Sequence, residues 1–476
     1  MDAAKVKSFV DACWEGEIVP ALTEYIRIPN KSPAFDPDWQ KHGYMRDAVA
    51  LLESWARERL SVFPGASLEV VQLMGRTPLI FIEIPGEGTE TVLLYGHLDK
   101  QPEFTGWEEG LGPWKPVRRG DKLFGRGGAD DGYAMFGSLA ALLALKEQKV
   151  PHSRAVILIE ACEESGSYDL PFYVDHLMPR LGKVSLVVCL DSGCGNYDQL
   201  WLTTSLRGNA VGDLTVRVLK EGVHSGDASG IVPSPIRILR ALLARIEDTE
   251  TGRVTEELQG EIPKGRMEEA HATAKVLGRD VYAKFPWHGS AKPVADDLAE
   301  LIINRTWRAQ LAVTGIEGVP ALQNAGNVML PYVTARLSMR LPPNFDARRG
   351  LAVMRKLLEA SPPYGAEVKF AGEPGMSGWD APALEPWLGE AAARASDAAF
   401  GAPPAFMGEG GSIPFMGMLG EKFPGTQFVV TGVLGPNSNA HGPNEFLHIP
   451  MGKGVTRAVA QIIADHHEAS GRRRAG

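Results

Sequence analysis

The stretch TVLLYGHLDK, residues 91–100, decides the fold class. It opens with an apolar, β-rich run, and two polar side chains, His97 and Asp99, follow directly after that run. Such a run is typical of a strand that is buried on both faces of a sheet. Further apolar runs at 155–159 and 184–190 alternate with a helical pattern at 135–148. This alternation predicts an α/β domain with polar residues at its strand ends.

The composition limits the class of protein. The 476 residues include 49 Lys and Arg against 58 Asp and Glu, and the resulting net charge of −9 argues against nucleic-acid binding. Four cysteines without a paired spacing, and an N-terminus without an uninterrupted apolar core, predict a cytoplasmic protein. The longest stretch free of charged residues, 423–444, is interrupted by glycines and prolines, so we expect no membrane span.

The pattern along the chain changes twice. From about residue 209 a strand pattern, a helical pattern and a long polar stretch follow one another, and further strand and helix patterns continue to about 375. Apolar patterns like those of the first part return after this point. We therefore predict a discontinuous α/β domain, residues 1–208 and 376–476, interrupted by an inserted α+β domain, residues 209–375.

Two further segments place pairs of acids at the ends of predicted elements. The glycine-rich FGRGGADDGYA, residues 124–134, delivers Asp130 and Asp131 just before a helix, where two neighbouring carboxylates favour a cation. An N-cap is the alternative interpretation, although it explains one aspartate better than two. The segment ILIEACEESGS ends a strand with Glu163 and Glu164. One of these neighbours can bind a metal ion while the other takes a proton from a metal-bound water, and a solvated acidic loop is the alternative.

The last two segments supply one carboxylate and one imidazole. Asp191 ends the apolar run of VSLVVCLDSGC, and His441 lies in the loop LGPNSNAHGPNEF. Cys189 and Cys194 flank Asp191, and zinc binding by these thiols is an alternative that the oxygen and imidazole character of the other segments disfavours. The carboxylates and the two histidines together fit two ions of zinc, manganese or cobalt. The candidate residues of this centre are His97, Asp99, Asp130, Glu163, Glu164, Asp191 and His441.

Seven motifs in this order resemble those of a known family. They are GHLD, GRGGADD, EACEESGS, LDSG, VHSG, GEGGSIP and NAHGPNE. The chain resembles the co-catalytic zinc peptidases and amidohydrolases, which include carnosinase-like and bacterial dipeptidases, acetylornithine deacetylase and carboxypeptidase G. The resemblance implies a catalytic domain with a mixed central sheet flanked by helices. It also implies a ferredoxin-like inserted domain that serves as lid and dimerisation domain, and hence a homodimer.

The resemblance also implies a role for each residue of the centre. Asp130, joined to Asp131 by a cis peptide bond, would bridge two zinc ions, with Mn²⁺ or Co²⁺ as alternatives. His97 and Asp191 would bind one ion, and Glu164 and His441 the other. Glu163 would be the general base that takes a proton from the metal-bridging water, and Asp99 would orient His97.

Three residues of the inserted domain and its surroundings complete the predicted site. By resemblance, His224 in VHSG stabilises the oxyanion in the partner subunit's site, although an exposed loop histidine is the alternative. Arg340 in SMRLPPN and Ser412 in GEGGSIP would bind the terminal carboxylate of the substrate. A cross-strand ion pair is the alternative interpretation of Arg340. Where relatives usually read Asp-Asp-Lys-Gly, this chain has Gly132 and Tyr133 after the two aspartates, which bears on substrate preference.

The predicted function follows from this inventory. An aspartate at position 191 is typical of family members that act next to a free N-terminus, so we predict a zinc-dependent dipeptidase. An N-acyl amino acid deacylase is the alternative, because such a substrate also offers a carboxylate to Arg340 and Ser412. A non-catalytic binding homologue is disfavoured because every predicted metal ligand and the base are present. The side chains that the substrate pocket prefers, the physiological metal and assembly beyond a dimer are left open.

Overall fold

The structure is a computed structural model that describes residues 1–413 and 415–475. The chain forms two compact units. The first comprises Met1–Thr204, Ala381–Met407 and the residues from Met418 onward, and the second comprises Ser205–Asp380 and Gly408–Gly417. The predicted domain boundaries, 208/209 and 375/376, stay a prediction. The short segment Gly408–Gly417, which contains Ser412, groups with the second unit rather than with the residues around it in sequence.

The strands and helices follow the sequence in an alternating order. The strands are β1 (Ser67–Val71), β2 (Leu79–Ile84), β3 (Glu90–His97), β4 (Val117–Arg119), β5 (Lys122–Phe124), β6 (Arg154–Glu160), β7 (Lys183–Cys189), β8 (Trp201–Leu206), β9 (Gly208–Arg217), β10 (Val223–His224), β11 (Gln310–Glu317), β12 (Val328–Met329), β13 (Tyr332–Leu341), β14 (Glu367–Gly372), β15 (Trp379–Asp380), β16 (Ala405–Glu409), β17 (Gln427–Val430) and β18 (Phe446–His448). The α-helices are α1 (Ala3–Cys13), α2 (Val19–Arg27), α3 (Trp39–His42), α4 (Tyr44–Leu60), α5 (Tyr133–Glu147), α6 (Leu170–Leu181), α7 (Ser225–Ala228), α8 (Pro235–Leu243), α9 (Lys264–Leu277), α10 (Asp280–Ala283), α11 (Leu298–Thr306), α12 (Ala347–Glu359), α13 (Pro386–Phe400), α14 (Met416–Lys422) and α15 (Ile449–Ala475).

The first unit is built on a mixed six-stranded sheet with the order β1-β2-β6-β3-β7-β17. Strand β3 is parallel to both β6 and β7, and β17 is parallel to β7, whereas β2 is antiparallel to β6. All eight residues of β3 are buried, because helices cover both faces of a sheet of this kind. The predicted mixed central sheet is thereby confirmed.

Helices α5 and α15 pack on each other, and α5 also packs on β3 and β6. Most residues of α5 are buried on all sides of the helix, which is typical of a helix enclosed within a domain. The N-terminal residues form α1 and α2, which are joined by the π-helical turn Trp14–Ile18. Asp2 caps the first of these, since its side chain accepts hydrogen bonds from Ala4 N and Lys5 N.

The second unit contains a four-stranded antiparallel sheet with the order β11-β13-β9-β14. Its chain order, β9-α8-β11-β13-α12-β14 with α9 to α11 inserted after α8, is that of a ferredoxin-like fold. The inner faces of the sheet, α8 and α12 form one hydrophobic core. The predicted inserted α+β domain is confirmed in its fold.

The long polar stretch of the second unit contains elements that the sequence pattern did not reveal. Helices α9 and α11 share a small core that includes Trp307, and β11 forms an edge of the sheet. Six of the eight residues of β11 are exposed, so this strand lacks the alternation of buried and exposed positions that marks a strand in sequence. In the described part of the chain, no helix has the length and apolar character needed to cross a membrane.

Candidate metal centre

The centre forms at the carboxyl end of the central sheet. His97 is the last residue of β3, Glu163 and Glu164 follow β6, and Asp191 lies just after β7. Because these three strands are parallel, their carboxyl ends meet at one edge, where α/β sheets bind ligands. The placement of these residues is thus a direct consequence of strand order.

Two loops add the remaining ligand candidates. Asp130 lies in the turn Gly128–Gly132 before α5, and its bond to Asp131 is a cis peptide bond, as the resemblance implies. Neither aspartate caps α5, whose N-cap residue is Gly132 without a side-chain hydrogen bond. The N-cap interpretation of the two aspartates is therefore wrong. His441 comes from the loop between β17 and β18.

The structure brings the five predicted metal ligands together in two groups that share Asp130. In one group, Nε2 of His97 lies 3.4 Å from Oδ1 of Asp130 and 3.8 Å from Oδ2 of Asp191. In the other, Nε2 of His441 lies 3.0 Å from Oδ2 of Asp130 and 3.4 Å from Oε2 of Glu164. Within each group the potential ligand atoms lie within 4.8 Å of one another.

The polar atoms of these groups fit divalent cations. Nε2 of His97 and Oε1 of Glu164 are buried and lack a hydrogen-bond partner among the described residues. Leaving buried polar atoms unpaired is costly, and a cation held by imidazole and carboxylate ligands would satisfy both of them. Cys189 and Cys194 are buried and belong to neither group, so the thiolate alternative finds no support in the described structure.

The electrostatics of the centre reflect its excess of carboxylates. Burial, together with the charges of Asp191 and Glu164, raises the pKa of Glu163 well above its ordinary value. Burial and neighbouring Asp130 raise the pKa of Glu164 to about 8. Burial favours the neutral form of His441, but its hydrogen bond to Asp130 outweighs this and raises the pKa of the ring to about 9. Buried like charges of this kind are stabilised when a cation lies among them.

The acidic turn after β6 is not a solvated loop. The side chain of Glu164 is only 4% exposed, so the solvated-loop interpretation is wrong. Asp99, itself fully buried, holds this turn because its Oδ1 accepts from Glu163 N at 3.1 Å and its Oδ2 accepts from Glu164 N at 3.0 Å. Nδ1 of His97 lies 3.1 Å from the carbonyl oxygen of Asp99 and 3.4 Å from Oδ1.

One further residue contacts the centre without having been predicted. Nε2 of Gln101 donates to Oε2 of Glu164 at 2.6 Å and so fixes the orientation of that carboxylate. The sequence offered one indication of this contact, since Gln101 lies only four residues after His97. Glu160, at the end of β6, instead accepts hydrogen bonds from Tyr95 and Ser167, and burial raises its pKa to about 7.

The second unit holds the three remaining predicted residues. His224 is exposed and lies in β10, paired with Val328 of β12, rather than in a loop. Arg340 is half-buried opposite Asn209 of β9, and no carboxylate of the described residues lies within ion-pairing distance of it, so the cross-strand ion pair is wrong. The Oγ of Ser412 donates to the carbonyl oxygen of Arg207.

An unpredicted arginine accompanies Arg340 and Ser412. Arg207 is almost fully buried, and its Nε donates to the carbonyl oxygen of Gly410 at 3.2 Å. Burial and the neighbouring charges of Arg340 and Arg305 lower its pKa to about 9. This end of the second unit therefore carries a concentration of positive charge suited to an anionic group.

Comparison with known proteins agrees with this geometry. A cysteinylglycine-S-conjugate dipeptidase from Corynebacterium striatum is 27% identical over 81% of this chain and 83% of its own length. The human Beta-Ala-His dipeptidase is 27% identical over 88% of this chain and 83% of its own length. Solved structures of the Saccharomyces cerevisiae dipeptidase Dug1p and of human carnosine dipeptidase 1 share the fold, each with a TM-score of 0.75 and 22% identity. These structures cover 98% of this chain and 99% and 100% of their own.

The family assignment rests on a match that covers most of the chain. The model of peptidase family M20/M25/M40 matches residues 93–465, a range that begins within β3 and ends within α15. All five ligand candidates and all three predicted residues of the second unit lie inside this range. The chain belongs to peptidase family M20/M25/M40.

Proposed function

We propose that this chain is a metal-dependent dipeptidase. The proposal rests on two clusters of potential metal ligands, each with one histidine and two carboxylates. The clusters share Asp130, and Glu163 lies beside them. The names of the relatives from C. striatum and human support short peptides as the substrate class. A divalent metal ion is the cofactor, since the ligand candidates fit one and the family is a metallopeptidase family.

The two groups of ligands suit two ions, which we propose to be zinc, with Mn²⁺ or Co²⁺ as substitutes. His97 and Asp191 would hold one ion and Glu164 and His441 the other, with Asp130 contributing to both. Ions bound in this way polarise a carbonyl group and lower the pKa of water, which is the chemistry that peptide-bond hydrolysis requires.

Glu163 acts as the general base in this proposal. Its carboxylate takes a proton from the attacking water and passes that proton to the nitrogen of the leaving amino acid, which completes the hydrolysis. Burial and neighbouring acids raise the pKa of Glu163 well above its ordinary value, and cations bound beside it would favour the ionised form that a general base requires. Asp99 holds the backbone of the same turn and so keeps the base in place.

Arg340 and Ser412 bind the terminal carboxylate of the dipeptide. Arg340 has no carboxylate partner among the described residues, and its guanidinium group offers the forked donors that a carboxylate accepts. His224, which is exposed, stabilises the developing oxyanion in the site of a partner subunit. Both roles extend the family resemblance.

We also propose that the chain forms a homodimer through its inserted domain. Strand β11 is an edge strand, and Val313 and Ile316 on it are 44% and 60% exposed. An exposed edge with apolar side chains is a surface on which a second copy can pair. A cytoplasmic location stays a prediction.

The proposal is tested by measuring amino acid release from an L-dipeptide with a free or an acetylated N-terminus. Metal-stripped protein is assayed with Zn²⁺, Mn²⁺ or Co²⁺ and with chelator. Metal-dependent cleavage of the free dipeptide establishes the dipeptidase, whereas preference for the acetylated form identifies an N-acyl amino acid deacylase. Cleavage that persists in excess chelator contradicts a metal-dependent mechanism, and no hydrolysis of either compound with any metal supports the non-catalytic alternative.

A further inference from the structure

A fully buried ion pair lies behind the metal centre and has no part in the mechanism described so far. The side chains of Arg126 and Glu445 are 1% and 0% exposed, and Nη1 of Arg126 donates to Oε2 of Glu445. The two residues are 319 positions apart in sequence. Arg126 belongs to the loop that delivers Asp130, and Glu445 belongs to the loop that delivers His441.

The remaining donors of Arg126 contact the main chain of the ligand-bearing loops. Its Nη2 donates to the carbonyl oxygens of His441 at 3.0 Å and Gly442 at 2.8 Å. Its Nε donates to the carbonyl oxygen of Pro102 at 3.2 Å, in the segment that follows His97. One guanidinium group therefore joins the loop that carries Asp130, the loop that carries His441 and the segment that follows His97.

Glu445 completes the connection from the other side. Its Oε1 accepts from Gly127 N at 2.8 Å, and its own carbonyl oxygen accepts from Gly125 N at 3.0 Å. The glycine loop that carries Asp130 is thereby fixed to the segment after His441 at two points. Immediately beyond this point, β18 pairs with β5.

His441 depends on such support more than the other ligands do. Its side chain is 53% exposed, whereas the side chain of His97 is fully buried at the end of a central strand. The φ angle of His441 is +65°, and Asn437, Asn439 and Asn444 in the same loop also have positive φ angles. Positive φ angles are uncommon outside glycine, although asparagine and histidine adopt them more readily than most residues, and surrounding contacts stabilise them.

We propose that Arg126 and Glu445 are positioning residues that hold His441. They thereby raise the metal affinity of the group formed by Asp130, Glu164 and His441 more than that of the group formed by His97, Asp130 and Asp191. This inference rests on the proposed two-ion function. Contacts behind metal ligands commonly change metal affinity 10- to 100-fold when they are removed. The pair should therefore affect one of the two ions selectively.

The main test is the double variant Arg126→Met/Glu445→Leu, which removes both charges together. Removing one partner alone would leave a buried, unpaired charge, whereas apolar replacement of both is often tolerated. Metal-stripped protein is titrated with Zn²⁺ by calorimetry, and bound zinc is counted by elemental analysis after gel filtration. We expect one ion to bind with the wild-type affinity and the other about 10- to 100-fold more weakly.

Arg126→Lys tests the same point with a smaller change. Lysine retains the charge opposite Glu445 but lacks the fork that reaches the carbonyl groups of His441 and Gly442. We expect a folded variant in which the same ion is weakened, which keeps the inference testable if the double variant does not fold. As the control, Arg154→Met/Glu83→Leu removes a partly exposed ion pair, 2.7 Å long, whose arginine also donates to main-chain carbonyl groups. The change at Glu83 also removes its ion pair with Arg180.

Arg154 begins β6, at the opposite end of that strand from the metal centre, so the control should leave both zinc affinities unchanged. In a His441→Ala background, the Arg126→Met/Glu445→Leu changes should have no further effect on zinc binding, because the ligand through which they act is absent.

Three results would overturn the inference: wild-type affinity for both ions in the Arg126 variants, equal weakening of both ions, or a full additional loss in the His441→Ala background. The titration of the wild-type chain separates this failure from that of the proposed function. Fewer than two bound ions on the wild type would refute the two-ion proposal itself, and the inference with it. Two bound ions with an unselective variant would refute the inference alone.

Discussion

Asp99→Asn changes one atom of the residue that connects His97 to the acidic turn. The two carboxylate oxygens of Asp99 accept from the main-chain N–H groups of Glu163 and Glu164, at 3.1 and 3.0 Å. Asparagine keeps one acceptor oxygen and places an NH₂ group where the other oxygen was. One of the two N–H groups then faces a donor, and the other loses its charged acceptor.

The size of the effect follows from these two bonds. A hydrogen bond to a charged group contributes about 1.5–3 kcal/mol, and an unpaired buried donor costs a similar amount. We therefore expect the free energy of unfolding to fall by about 2–3 kcal/mol. If the same energy is lost from the arrangement of the turn in the transition state, kcat/KM falls about 30- to 160-fold.

The assay measures kcat/KM for an L-dipeptide at zinc concentrations that saturate each variant, beside urea unfolding. Asp169→Asn is the matched control, since Asp169 is also buried and accepts from Thr77 N at 2.9 Å while pairing with Arg76. We expect the control to lose similar stability and to keep kcat/KM within about threefold, because an effect on stability alone leaves the folded enzyme active. Wild-type kcat/KM in Asp99→Asn, or an equal loss in both variants, would refute the positioning role of Asp99.

Four further substitutions test other parts of the site. Glu163→Ala should retain its metal ions and lower kcat about 10²- to 10⁴-fold, the usual contribution of a positioned base, and near wild-type turnover would exclude it as the base. His224→Ala should lower kcat without changing metal content, and mixed dimers with Glu163→Ala subunits should regain activity if the histidine acts across the interface; inactive mixed dimers would contradict that role. Arg340→Met should raise KM for dipeptides with a free carboxyl end but not for their amides, and an equal rise for both would argue against carboxylate binding. Gly132→Ala should lower the free energy of unfolding by about 1–3 kcal/mol, because the added Cβ would lie 2.2 Å from Cε1 of Tyr25 and 2.6 Å from the carbonyl oxygen of Gly127; an unchanged unfolding curve would show that both the ring and the loop move aside freely.

The parts of the fold that could be predicted are those in which local pattern and burial agree. The apolar runs of β3, β6 and β7 are buried on both faces. Their sequences therefore predict the strands and also show which polar residues lie at the strand ends. Strand β11 could not be found in this way because its exposed side chains follow no alternation. The segment Gly408–Gly417 groups with the second unit through contacts that no local pattern reveals.

The site shows the same division. Ligand candidates at strand ends could be read from residue type and position, because carboxylates and imidazoles gathered at one sheet edge imply a cation. The contacts that orient these ligands could not be predicted, because they join residues far apart in sequence. Gln101 and Glu164 are 63 positions apart, and Arg126 and Glu445 are 319 positions apart. Asp99 was expected to orient His97 alone. Its two bonds to the turn after β6 arise only once the two strands lie side by side.

This chain has Gly132 where relatives usually have lysine, and the residues around Gly132 are arranged to fit a glycine. The ring of Tyr25 occupies the space next to Gly132, so a side chain at this position would collide with it. Nζ of the fully buried Lys100 lies 3.8 Å from the centroid of that ring and donates to the carbonyl oxygens of Tyr25 and Ile28. The aliphatic stem of Lys100 lies over Gly127, where an added Cβ would come within 2.6 Å of it.

A buried amino group thus lies beside the loop that carries Asp130, and it comes from the segment after β3 rather than from the start of α5. Burial lowers the pKa of Lys100 well below its ordinary value, and no carboxylate of the described residues forms an ion pair with it. Two main-chain carbonyl groups and the face of an aromatic ring therefore provide its stabilisation. The ring of Tyr25 contacts both Gly132 and Lys100, so an exchange of Gly132 for lysine would require that ring to move and would alter its contact with Lys100.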